Sequence, residues 1–91
     1  MGLTKPPRPL KLAPKLLQIR QTLELSQNGM LRRLRLDESY DRSSISGYER
    51  GEREPPLPVL LRYAKVANVC LDILADDQLE LPTKLPAKKR H

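Results

Sequence analysis

The chain has no tryptophan, no phenylalanine and only three tyrosines in 91 residues. Its core must therefore be built of Leu, Ile, Val and Ala, as in a small helical bundle. Cys70 is the sole cysteine, so an internal disulfide is excluded and the fold must hold without one. The single histidine, His91, ends the chain. A His/Cys metal site or a histidine-based catalytic group thus lacks its residues. The acids Asp72, Asp76 and Asp77 cluster without the glycine and regular oxygen spacing of a calcium loop. No Ser/His/Asp set, Walker loop or dinucleotide fingerprint is present. These absences predict a non-enzyme with no metal and no cofactor. No apolar run approaches the roughly 18 residues of a membrane span, and the N-terminus lacks the apolar stretch of a secretory signal. A soluble cytoplasmic protein with no membrane partner is expected.

What the chain has in excess is basic charge, net +6. Its distribution matters more than its sum. Residues 1–15 carry Lys5, Arg8, Lys11 and Lys15 with no acid, and residues 82–91 carry Lys84, Lys88, Lys89 and Arg90 with no acid. The segment between holds nine basic and eleven acidic residues. Affinity for a polyanion must then come from local clustering within that segment, helped by the ends. Four prolines among residues 1–14 forbid a continuous helix there and predict a disordered or polyproline-like basic arm. Such an arm can follow a nucleic-acid backbone or enter a minor groove. The folded domain is placed at 15–76, and 77–91 is read as an extended basic tail whose leucines, Leu79, Leu81 and Leu85, pack on the domain or on a second subunit.

Between the ends, apolar spacing predicts five helices. The first runs from Lys15 to Leu23, with Pro14 near its start and Leu16, Ile19 and Leu23 on one face. Ser26 caps the second, which begins at Gln27, buries Met30, Leu31 and Leu34, and turns Arg32, Arg33 and Arg35 outward. The third lies between an Asp41 cap and a left-handed Gly51. Ile45 and Tyr48 form its thin core stripe. Ser43, Ser46, Gly47 and Arg50 leave its other side small, polar or basic, as a helix requires if a large partner is to come close. Pro58 opens the fourth helix, which runs to Ala67, and a short fifth spans Asp72 to Asp76. Cys70 is expected to be a small buried residue.

The stretch I-S-G-Y-E-R-G from Ile45 to Gly51, with Ser26-Gln27 upstream, resembles the Cro/repressor-type helix-turn-helix regulators of the XRE family. The resemblance covers about Leu16 to Leu74. It implies an all-α, five-helix helix-turn-helix domain, here with flexible basic termini, whose third helix lies in the DNA major groove. Matching positions imply that Gln27, Arg42, Ser43, Ser46 and Gly47 face double-stranded DNA, with Arg50 and Arg53 at phosphates. They also imply a partly buried ion pair between Arg20 and Glu49, which fall on the core-facing arcs of the first and third helices. Glu24 stands where the family usually has glycine. The segment Leu36–Tyr40 lengthens the usual tight turn by about four residues. The favoured reading adds a turn to the second helix through Leu36, with Tyr40 in the apolar slot before Asp41; the alternative is a looped-out excursion. The function so implied is a cytoplasmic transcriptional regulator of prokaryotic or phage type. Repression and binding as a homodimer are its simplest form. An antitoxin, or a protein-interaction module that kept the fold and lost DNA binding, are the rivals, each with a protein partner.

Overall fold

A computed structural model describes residues 10–82, 84 and 85. Most of the proline-rich arm and the last six residues lie outside that range. Five helices and no strand occur among the described residues: α1 (Leu12–Thr22), α2 (Gln27–Arg33), α3 (Arg42–Glu49), α4 (Leu57–Ala67) and α5 (Leu71–Ala75). No helix among them is long and apolar enough to cross a membrane. One core joins all five, built around the fully buried Leu16, Ile19, Met30, Leu34, Ile45, Tyr63 and Leu74. Apolar spacing on α4 points to Leu60, Ala64 and Ala67, with Leu57 or Leu61 flanking. It passes over two core positions, Val59 and Tyr63, the latter the largest fully buried side chain. Leu57, by contrast, is 59% exposed.

Helix α1 starts at Leu12, three residues earlier than its proline suggested, so the expected boundary at residue 15 is too late. Pro14 is tolerated because the first-turn amides have no intrahelical acceptor in any case. The cap comes from far away in sequence. The Asp77 carboxylate accepts from the amides of Leu10 and Lys11 at 2.8 and 2.9 Å. These two bonds hold the Asp77 carboxyl below its ordinary value of 3.8. A folded-state value lowered in this way adds stability that is complete above the unfolded value and is lost as pH falls through the folded one. Accordingly, Asp77→Asn lowers the melting temperature at pH 7. It also flattens the fall in melting temperature between about pH 5 and 3.

Lys15 completes the stitch between α1 and α5. Expected from sequence only as the first residue of the helix and one of the cations near the N-terminus, it is 5% exposed. Its ammonium donates to the carbonyls of Ile73 and Asp76 at 2.7 and 2.9 Å, at the C-terminal end of α5 where the helix dipole favours a cation. Lys15→Met removes two charge-assisted bonds, although the Asp76 carbonyl keeps the Leu79 amide as a donor. A loss of about 2 kcal/mol in urea unfolding is expected. The chain after α5 turns back, and Leu85 packs into the core.

Helix α2 does not gain the extra turn. It ends at Arg33, and the chain leaves it through Arg35 at φ 60°. The Leu36 amide donates to Leu31 and the Arg35 amide to Arg32, the paired bonds of a Schellman close. Leu36 and Leu31 are both buried, as that motif favours. Residues 37–40 then form a short excursion in which the Ser39 and Tyr40 amides return to the Leu36 carbonyl. Arg62 of α4 locks it by donating to the carbonyls of Leu34 and Arg35 at 3.1 and 2.8 Å. A left-handed arginine costs about 1 kcal/mol that glycine would not. Arg35→Gly should therefore raise the urea midpoint, worth about 1 kcal/mol, without changing the m-value.

Cys70 is exposed and precedes α5, which begins one residue earlier than expected. The expectation of a buried thiol was wrong because the residue before a helix's first turn stands off the packed face.

Candidate nucleic-acid interface

The site is built on α3. Asp41 sits at its N-cap in extended conformation and accepts from the Ser43 amide at 3.1 Å. The Ser43 hydroxyl also donates to it, and this bond is the main cause of a lowered Asp41 pKa. At the other end Gly51, at φ 75°, lets the chain turn, with the Glu52 amide donating to Gly47. Eight residues are thereby fixed in phase. Ser44, Ile45, Tyr48 and Glu49 are buried, whereas Arg42, Ser43 and Arg50 are exposed and Ser46 is half-buried. Positions 42, 46 and 50 are successive i, i+4 neighbours, with 43 and 47 beside them, so they form one strip along the helix.

That strip is not open throughout. Gly47 is buried. A Cβ placed on it would lie 3.1 Å from both Cγ and Cδ of Arg53. The Arg53 amide also donates to the Gly47 carbonyl at 3.2 Å. The missing side chain is therefore explained by a segment of the same chain lying across it. A close approach by a partner's backbone, the reason suggested by sequence, is not needed. Arg53 itself is exposed. Arg50 pairs with Glu52 at 3.3 Å on the surface, with both side chains more than 60% exposed. Such a pair contributes little to stability and leaves the guanidinium available.

Gln27 opens α2 beside this surface, half-buried. Its side-chain amide donates to Glu49 at 3.3 Å. Glu49 also receives Arg20 in a fork, Nε to Oε2 at 2.6 Å and Nη2 to Oε1 at 3.0 Å. The third arm of Arg20 donates to the Leu25 carbonyl at 2.9 Å. One carboxylate, 4% exposed, thus ties α1, α2 and the end of α3 together. Its bond to Arg20 raises that guanidinium's pKa above its already high ordinary value. The participation of Gln27 was not foreseen, because nothing in sequence links a first-turn glutamine to a glutamate 22 positions on.

Chemically, the surface offers guanidinium donors, serine hydroxyls and no apolar wall. No group of three or more potential metal ligands occurs among the described residues. A helix-turn-helix family model matches residues 16–74. No curated protein and no solved structure matches the chain.

Proposed function

The chain belongs to the helix-turn-helix family of DNA-binding regulators, and on that premise we propose that it is a sequence-specific repressor of transcription that reads the major groove with α3 as a homodimer. The observation that carries this reading is the division of α3 into two arcs. Ile45, Tyr48 and Glu49 fix the helix to the core, while Arg42, Ser43 and Arg50 stand in solvent. Base edges are read by such donors, and nearby cations fix register on phosphates. Gln27 lies at the start of α2, where free amides and the helix dipole also favour a phosphate.

One such helix covers only a few base pairs. Two of them, reading half-sites about 34–36 Å apart, supply useful specificity. The exposed leucines Leu57, Leu61 and Leu79 are apolar surface available for pairing two copies. Repression by occupying a promoter is then the simplest outcome, since no second functional site is needed.

The test is selection of bound sequences from a random duplex pool, followed by mobility shifts over salt. A motif of two related half-sites about one helical turn apart is expected. Affinity should drop about a hundredfold between roughly 50 and 200 mM salt if some four phosphates are neutralised. An unenriched pool would end the proposal and leave the fold as a protein-interaction module.

A further inference from the structure

We infer that Arg53, which lies outside α3, supplies the long reading side chain at the centre of the α3 strip, and that Gly47 is the seat that aims it. This rests on the DNA-binding reading above. By sequence Arg53 belongs among the phosphate contacts beyond the helix. The structure brings it back. Positions 43 and 47 occupy the same arc of α3 and carry only a serine and a glycine. Of the longer side chains, Arg42 stands at the start of the helix and Arg50 just past its end. The middle of the strip would be without any long donor. The Arg53 stem fills that gap, its Cγ and Cδ lying where a residue-47 side chain would stand.

The backbone sets where the stem lies. The turn at Gly51 reverses the chain, and the Arg53 amide bonds the Gly47 carbonyl. Arg53 is exposed and lines a surface hollow together with Asp41 and Ser43, which places it toward the N-terminal end of α3. A pre-aimed guanidinium on a groove-facing helix suits bidentate recognition of guanine, which a phosphate contact does not require. An alanine at 47 would press on the middle of the arginine stem, where a shift of a few tenths of an ångström at Cγ swings the head group much farther.

The experiment compares wild type, Arg53→Ala, Gly47→Ala and the double variant by selection from a random duplex pool, by salt-dependent mobility shift and by melting. Arg53→Ala should erase the preference at one base pair of each half-site, a loss of about ten- to a hundredfold for the preferred sequence, with other positions unchanged. Gly47→Ala should melt no lower than wild type, because alanine suits a helix interior better than glycine. It should nevertheless show the same loss of preference. In the Arg53→Ala background, Gly47→Ala should cost nothing further. A uniform loss across all sequences with the salt slope reduced by about one would make Arg53 a phosphate contact and overturn the inference. An added loss from Gly47→Ala in the Arg53→Ala background would also overturn it, by putting Gly47 itself against DNA. A wild-type pool without enrichment would instead remove the DNA-binding reading, and this inference with it.

Discussion

Replacing Arg20 with methionine is expected to lower the unfolding free energy by about 3 kcal/mol. Breaking one side of a buried ion pair costs about 3–5 kcal/mol, because the partner's charge stays behind without its compensation. Glu49 would keep a 4% exposed carboxylate with only the Gln27 bond at 3.3 Å. The lower end of the range applies because Arg20 retains 18% exposure, so water can reach the gap. For a domain of this size, 3 kcal/mol corresponds to a fall of about 12–24 °C in melting temperature. Exposed Arg32 is the control, and its methionine variant should shift stability by less than about 0.5 kcal/mol. The double variant Arg20→Met, Glu49→Leu should recover most of the loss, since an apolar pair leaves no stranded charge. Equal shifts for Arg20→Met and Arg32→Met would mean that the fork contributes nothing.

Replacing Arg42 with alanine is expected to weaken binding to a selected duplex by about 1–3 kcal/mol, a factor of about ten to a hundred. Arg42 is the first residue of α3 and fully in solvent, so melting should not change. Arg42→Lys discriminates between the two ways an arginine meets DNA. Lysine keeps the charge but not the planar fork, so a base contact is lost while a phosphate contact is largely kept. A loss in the alanine variant that lysine restores, uniform over all sequences, would reassign Arg42 to the backbone.

Much of α3 was legible in sequence because its determinants are local. The Asp41 cap, Gly51 and the Ile45/Tyr48 stripe all lie within eleven residues of one another. The fork between Arg20 and Glu49 was legible only by resemblance. What stayed hidden depends on partners distant in the chain or on an unusual backbone. Asp77 caps a helix 66 positions away, and Lys15 reaches carbonyls about 60 positions on. Neither leaves a trace in local spacing. The end of α2 was misread because Arg35 takes a left-handed conformation that glycine or asparagine would have announced. Glu24 does the same after α1, at φ 61°. Gly47 was assigned to the right face for the wrong reason, because its neighbour arrives only after the chain has reversed at Gly51.

The bonds from Asp77 to the amides at 10 and 11 have a practical corollary. Residues 10 and 77 therefore lie side by side at the start of α1. A short linker could join residue 77 back to residue 10 in a chain trimmed to that span. New termini could then be cut into the solvent-exposed excursion at 37–39, giving a circularly permuted molecule with its helices in a different order.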